Sequence, residues 1–282
     1  MKKLTIIFIA LGLFAYAQAQ EEGGDEFVSK RGINILPETG DIALGINGIP
    51  IISYFGNTFN GTANNATSFN FVDGNNAIYF KYFLTETSAV RVRLRIGTGT
   101  ITDLEYVSRD TLPWDARNKV EDIEKVSASN YNLGLGYEIR RGHGRVQGFF
   151  GGEFSVLATS GKTTYDYGNA YSAEITNPNY TNFGTNVGAM GRVIEQKQGT
   201  GLGFGLGGFM GVEYFFAPKI SVGGEFGWGF AFTKTGDGTV TEEFFDANNS
   251  AISEETVKAG GGKAWGVDTD NAFGAIYLMF HF

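Results

Sequence analysis

The last twelve residues, Asn271 to Phe282, alternate between apolar and variable positions and stop on an aromatic ring. Ala272, Gly274, Ile276, Leu278, Phe280 and Phe282 share one face of such a strand. At the end of a soluble domain a strand like this is an exposed edge that invites pairing with other chains. In a closed membrane barrel the last strand pairs with the first, and no edge remains. The C-terminus therefore predicts a chain whose strands close on themselves.

The same period of two recurs upstream and predicts eight strands. Ile42 to Tyr54 alternates clearly as far as Asn47, and Pro50 marks a bulge. Ala77 to Leu84 sets Ile78, Phe80, Tyr82 and Leu84 outward and Lys81 inward. Val90 to Ile96 sets Val90, Val92, Leu94 and Ile96 against Arg91, Arg93 and Arg95. Tyr131 to Ile139 opposes Tyr131, Leu133, Leu135 and Tyr137 to Asn132, Gly134, Gly136 and Glu138. Val146 to Ala158 opposes Val146, Phe150, Phe154 and Val156 to Gln147, Glu153 and Ser155. Thr200 to Phe216 places a row of glycines and Glu213 opposite Leu202, Phe204, Leu206 and Met210. Ile220 to Thr233 places Ser221, Gly223, Glu225 and Gly227 opposite Val222, Phe226, Trp228 and Phe230. The run Gly199 to Gly207 lacks the strand-then-helix context of a dinucleotide loop and reads as wall.

These strands predict an all-β, eight-stranded antiparallel up-and-down transmembrane barrel over residues 41–282. A soluble sandwich or lipocalin-like barrel also alternates, but its charged face would meet water, and here the charged residues share a face with glycine. Short connections fall at Thr85–Ser88, Arg140–Arg145 and Ala217–Lys219. Long ones fall at Gly56–Asn76, Thr100–Ala128, Ser160–Gly199 and Lys234–Asp270. In outer-membrane barrels short turns are periplasmic and long loops extracellular, and an even strand count leaves both termini in the periplasm.

Lys81, Arg91, Arg93 and Arg95 lie on the second and third of these strands, and Glu138, Glu153, Glu213 and Glu225 on the fourth to seventh. Four cations thus face four anions in a tube whose eight strands leave room only for side chains. Glycines on the sixth and seventh strands thin the wall opposite the arginines. The expected outcome is a salt-bridged plug; the alternative is a polar pore or proton path.

Met1 to Ala19 reads as a secretory signal peptide, with Lys2 and Lys3 as its basic start and Ala17-Gln18-Ala19 as the cleavage site. Residues 20–40 form an acidic periplasmic leader. The absence of Cys removes disulfides and lipid-modified cysteine. A formal charge of -8, which becomes -10 when Lys2 and Lys3 leave with the signal, argues against a nucleic-acid partner. Mean hydropathy is near zero, as in barrels that alternate.

No enzyme is expected. His143 lies in a short turn and His281 at the periplasmic end of the last strand, away from any outer-leaflet substrate. No cofactor and no metal site are expected either: Asp237, Glu242, Glu243 and Asp246 lack the ligand spacing of a calcium loop. The long loops remain. The second carries seven acidic residues against four basic ones, and the fourth eight against three. Pro113 to Val126 predicts a short helix with Val120 and Ile123 on one face. Tyr165, Tyr167, Tyr171, Tyr180 and Phe183 form an aromatic stretch that either packs the third loop onto its neighbours or binds a glycan or protein.

Three segments carry a family resemblance: Tyr277-Leu278-Met279-Phe280-His281-Phe282, the strand–turn–strand Ile78 to Ile96, and Leu36-Pro37-Glu38-Thr39-Gly40-Asp41. The chain resembles the small eight-stranded OmpA-type outer-membrane barrels, in particular the barrel-only kind common in Bacteroidota. That resemblance implies a bacterial outer-membrane location, in contact with outer-membrane lipid and lipopolysaccharide, with other outer-membrane proteins as further candidate partners. It also implies insertion by the barrel insertion machinery, which reads a terminal signal carried here by Tyr277, Phe280 and Phe282. No peptidoglycan-binding domain follows the barrel, so no cell-wall anchor is implied. Asp110-Thr111-Leu112 resembles the O-glycosylation motif of that bacterial group, with Thr111 as acceptor. Two roles stay open: a stand-alone barrel acting through its loops in recognition, adhesion or envelope integrity, and an accessory subunit of a larger secretion, uptake or barrel-assembly complex.

Overall fold

The computed structural model describes residues 27–48, 77–110, 115, 117–142, 144–184, 191–269 and 275–282. The signal segment, Pro50, the first long loop, Thr111 and His143 lie outside the described residues. Among those described there is no helix. Twelve strands run in chain order: β1 Ile42–Asn47, β2 Ile78–Thr85, β3 Ser88–Ser108, β4 Lys119–Arg141, β5 Val146–Asp166 and β6 Arg192–Lys197. They continue as β7 Gly201–Ala217, β8 Ile220–Thr235, β9 Gly238–Asp246, β10 Ala251–Ala259, β11 Gly262–Asp268 and β12 Ala275–His281.

All pairings are antiparallel. Strands β1, β2, β3, β4, β5, β7, β8 and β12 pair in that succession. The last also pairs with the first, Leu278 standing opposite Ile46. Each of these eight therefore has both ladder edges occupied, which is how a sheet rids itself of sticky edges.

The eight-strand expectation is corrected to twelve strands among the described residues. The four extra strands, β6, β9, β10 and β11, lie in segments expected as loops. Strands β3, β4 and β5 also run far into those segments and reach 21, 23 and 21 residues. Strand β5 exchanges partners along its length: Val146 to Thr159 pairs with β7, and Lys162 to Thr164 with β6. Strand β6 then pairs with β9 and β9 with β10, forming a wing. Strand β11 continues the β8 ladder beyond β12. The helix expected over Pro113 to Val126 is corrected as well. Lys119 to Val126 belongs to β4, where the β-branched Val120, Ile123 and Val126 favour a pleated ladder.

The two faces of the eight-strand set have opposite character. Leu44, Phe80, Val90, Leu135, Phe154, Leu206, Met210, Val222 and Phe226 are exposed. Lys81, Arg91, Glu138, Arg140, Glu153, Glu213 and Glu225 are buried, among Ala43, Tyr79, Phe83, Phe149, Phe209, Phe215, Tyr277 and Met279. Burying rings such as Phe149 and Phe215 stabilises by about 1.5–3 kcal/mol each. Glycine makes this packing possible. A Cβ at Gly211 would lie 2.3 Å from the Phe149 ring, and one at Gly223 would lie 2.5 Å from the Tyr277 ring. The glycines of β7 and β8 thus make room for rings, whereas the room for Arg91 comes from Gly136 on β4, where a Cβ would lie 2.8 Å from the arginine Cγ.

Residues 27–41 fold across the short-turn end. Gly40 N–H donates to Phe83 O at 2.8 Å, and Lys219 N–H to Ile35 O at 3.1 Å. The Lys219 ammonium lies 3.0 Å from Glu38 and 2.5 Å from Asp41. Hydrogen bonds from Lys219 and then Asn34 hold the Glu38 carboxyl below its ordinary value of 4.5. A depressed folded value means that the contribution is complete above 4.5 and fades as pH falls through the lowered value. Acidification below 4.5 is therefore expected to speed pepsin cleavage within residues 27–41 while the strands resist, and Glu38→Gln to flatten that pH dependence. A cleavage rate independent of pH would remove any role for the contact.

Candidate functional site

Two places gather chemistry. The first is the interior of the eight-strand set near the short turns. Lys81 Nζ on β2 lies 3.0 Å from Glu138 on β4 and 3.5 Å from Glu213 on β7. Arg140 bridges the same two carboxylates at 2.7 Å each. Arg91 on β3 forks onto Glu225 on β8, both guanidinium nitrogens at 2.8 Å, and its Nε lies 3.5 Å from Glu153 on β5. Arg93 donates to Glu153 at 2.6 and 2.9 Å. Lys81, Arg91, Arg93, Glu138, Glu153, Glu213 and Glu225, all expected in the lumen network, therefore meet. Arg95, half-buried, stands one level further from the turns, in register with Asn132.

Arg140 supplies the fourth cation of this cluster, so four carboxylates meet four cations. It was expected in a turn, but β4 continues to Arg141, and Arg140 shares the parity of Glu138. Parity also reveals the rings among the charges. Tyr79 and Phe83 alternate with Lys81, Phe149 with Glu153, and Phe209 and Phe215 with Glu213. Lys81 lies 4.8 Å from the Phe149 centroid and 5.2 Å from that of Tyr277. The Arg91 guanidinium lies 4.0 Å from Phe209, and that of Arg140 lies 5.3 Å from Phe83. Each buried cation thus meets carboxylate oxygens and ring faces, the environment that offsets its desolvation.

Ser221, His281 and Glu213 share this floor and have the residue types of a hydrolase triad. The geometry differs from one. Ser221 Oγ and Glu213 Oε1 both face the same imidazole nitrogen, Nε2, at 3.2 Å, and Ser221 also donates directly to Glu213. Nδ1 is buried without a hydrogen-bond partner. A relay needs the serine and the acid on opposite ring nitrogens. Of the residues expected as a sorting signal, Phe280 and Phe282 point outward, while Tyr277 is 1% exposed and faces the interior.

The second place is the wing. The buried Asp122 on β4 accepts from Gly168 N–H at 2.9 Å and Thr181 N–H at 2.8 Å. Asn169 donates to Ser108 O and Asn179 O. These bonds fold residues 167–184 into a wall carrying the aromatic stretch. Tyr165 and Tyr167 stack in parallel, 6.3 Å apart, and Tyr165 also meets Phe183 at 6.0 Å. The Arg192 guanidinium sits 4.2, 4.9 and 5.6 Å from the rings of Tyr167, Tyr171 and Tyr180, and pairs with Glu243 at 2.6 Å. Burial pushes the Tyr167 and Tyr171 phenols above their ordinary range. Hydrogen bonds from Lys162 and Lys197 hold the Glu195 carboxyl below its own. A cavity of about 670 Å³ lies against this wall over the β6–β9–β10 face.

The acidic residues considered for calcium have other partners. Glu243 pairs with Arg192, Asp246 accepts from Asn248 N–H and Asn249, and Asp237 from Gly261 N–H. No group of three His, Cys, Asp or Glu side chains among the described residues is arranged to hold a metal.

No protein-family model matches the sequence, and no curated protein matches it. Among solved structures, the outer membrane protein OprG from Pseudomonas aeruginosa is similar over 88% of this chain and 98% of its own, with 10% identity and a TM-score of 0.31.

Proposed function

We propose that the eight doubly paired strands form a closed barrel in a bacterial outer membrane, with a charge-filled lumen, and that the protein acts without enzymatic chemistry through the strands beyond the bilayer. One observation carries this reading: the outward faces are apolar, and the face withdrawn from solvent buries Lys81, Arg91 and Arg140 with four carboxylates. Water outside would demand the reverse. The dimensions agree. Outward apolar positions span about a dozen residues on β5, from Val146 to Val156, and such a strand tilted by ~45° covers the ~25 Å of an outer-membrane apolar band. The short turns and residues 27–41 then lie in the periplasm, and the wing lies outside the cell.

The network favours a plug over a pore, because Lys81, Arg91, Arg93 and Arg140 already meet carboxylates on other strands of the set. Planar-bilayer recording of the refolded protein is expected to show no steady open channel, and fractionation to place a heat-modifiable band in the outer membrane. A large constant conductance would overturn the plug, and recovery in the soluble fraction would overturn the barrel.

The accessory-subunit reading draws on the exposed apolar side chains of the extension. Trp265 is 75% exposed and Val267 66%, with Ile252 and Val257 exposed on β10. Such surface is what a protein partner covers. Purification from native membranes in mild detergent separates the two: a stoichiometric companion supports the subunit, and a lone heat-modifiable monomer supports the stand-alone barrel.

A further inference from the structure

Resting on the reading of the wing as the outward part of a membrane barrel, we propose that its concave face is a binding site for a neutral saccharide. The cavity of about 670 Å³ falls within the ~300–1,000 Å³ typical of small-ligand sites. One wall is the parallel Tyr165–Tyr167 pair, buttressed by Phe183 and by the bonds to Asp122 and Asn169. Tyr165 is 5% exposed and the Tyr167 ring carries Arg192 at 4.2 Å, so the wall offers preformed ring edges, against which the C–H groups of a sugar ring pack. The floor is polar and regular. Thr241 and Thr256 stand opposite one another with hydroxyls 3.0 Å apart, and Glu243 stands opposite Glu254.

The charge pattern selects the ligand class. Asp166, Glu195, Glu243 and Glu254 line the cavity, and they repel a free anion. A free cation gains little, because three of the four are already paired: Asp166 with Lys125 at 3.0 Å, Glu195 with Lys162 and Lys197 at 2.6 Å, and Glu243 with Arg192 at 2.6 Å. With Lys125, Lys162, Lys197 and Arg192 set against the four carboxylates, charge in and around the cavity is balanced. Hydrogen-bonding capacity is not. Paired carboxylates keep acceptor lone pairs, and the buried Arg192 Nη1 has no hydrogen-bond partner. A group that both donates and accepts without net charge meets both needs, and a hydroxyl does so. Several hydroxyls on a ring with an apolar face describe a saccharide.

The test uses the full mature protein, refolded into detergent micelles free of lipopolysaccharide. Isothermal titration is run with maltohexaose, cellohexaose, laminarihexaose, xylohexaose and chitohexaose, and with delipidated lipopolysaccharide core oligosaccharide. Binding of at least one of the hexaoses at Kd of about 1 mM or tighter is expected. Glu254→Ala and Thr256→Ala should each weaken it about tenfold. Glu255→Ala, one residue along β10 and so on its other face, should leave it unchanged. A response to the hexaoses assigns the site to a neutral glycan, and a response to the core oligosaccharide alone, which carries acidic sugars and phosphate, overturns the neutral-ligand reading. The proposal is overturned if no saccharide binds, if hexalysine or inorganic phosphate binds in their place, or if binding ignores Glu254→Ala and Thr256→Ala. Heat-modifiability is read on the same preparation: a heat-modifiable protein that binds no sugar loses this site and keeps the barrel.

Discussion

Arg91→Leu is expected to remove about 3–5 kcal/mol of folding stability, the usual cost of leaving a buried charge without its partner. The substitution strips both forked donors from Glu225, one of two cations from Glu153, and the guanidinium from the face of Phe209. Glu225 is 7% exposed, so water does not replace what is lost. The double variant Arg91→Leu with Glu225→Leu removes one charge of each sign and should recover more than half of the loss. Arg93→Leu makes a useful contrast: its side chain is 19% exposed, and Glu153 keeps Arg91. A cost of about 1–2 kcal/mol is expected there. Urea unfolding of the protein folded into lipid vesicles, followed by tryptophan fluorescence and gel mobility, measures all three. If Arg91→Leu lies within about 1 kcal/mol of the parent, or the double variant is no better than the single, the interior charges do not hold the fold together.

The strands of the eight-strand set were legible because each must satisfy opposite demands on its two faces. Val90 to Ile96 shows this at its clearest, with aliphatics and arginines in strict alternation. That signal disappears beyond Ile96, where β3 continues as Gly-Thr-Gly-Thr-Ile-Thr-Asp and is exposed on both faces from Thr100 to Tyr106. Strand β10, Ala-Ile-Ser-Glu-Glu-Thr-Val-Lys-Ala, is exposed nearly throughout and shows no period at all. What identifies these segments as strands is their β-branched content, such as Ile252, Thr256 and Val257, together with the backbone's need for hydrogen-bond partners. Within the interior, parity located the carboxylates and Lys81, but a boundary drawn at Arg140 cut that residue from the cluster. Strand boundaries depend on ladder pairing, and one residue of error there discarded a fully buried cation. Of the wing cavity only the aromatic stretch could be read, because the cavity joins Tyr165, Arg192, Thr241 and Thr256 from four strands whose pairing leaves no local trace.

The outward face offers the sharper discrimination between a membrane barrel and a soluble one. Leu135 lies at the centre of the outward run Tyr131, Leu133, Leu135, Tyr137 and Ile139 on β4, flanked in register by Val92 and Phe154. It is 51% exposed. On a surface facing water, Leu135→Arg would shift stability by no more than ~0.5 kcal/mol. On a surface facing the middle of a bilayer, the same arginine must carry its charge into hydrocarbon, and a loss of about 2–4 kcal/mol is expected. Ser127→Arg serves as the control. It sits on the same strand at the same parity, beyond the apolar run, with its hydroxyl 2.9 Å from that of Thr100. Its cost should fall to about 0–1 kcal/mol, as near a bilayer interface. Unfolding titrations in lipid vesicles give both values on one scale. A graded loss along β4, large at Leu135 and small at Ser127, is the signature of an apolar slab around the strands. Equal and small costs at the two positions would place water on that face and overturn the membrane reading.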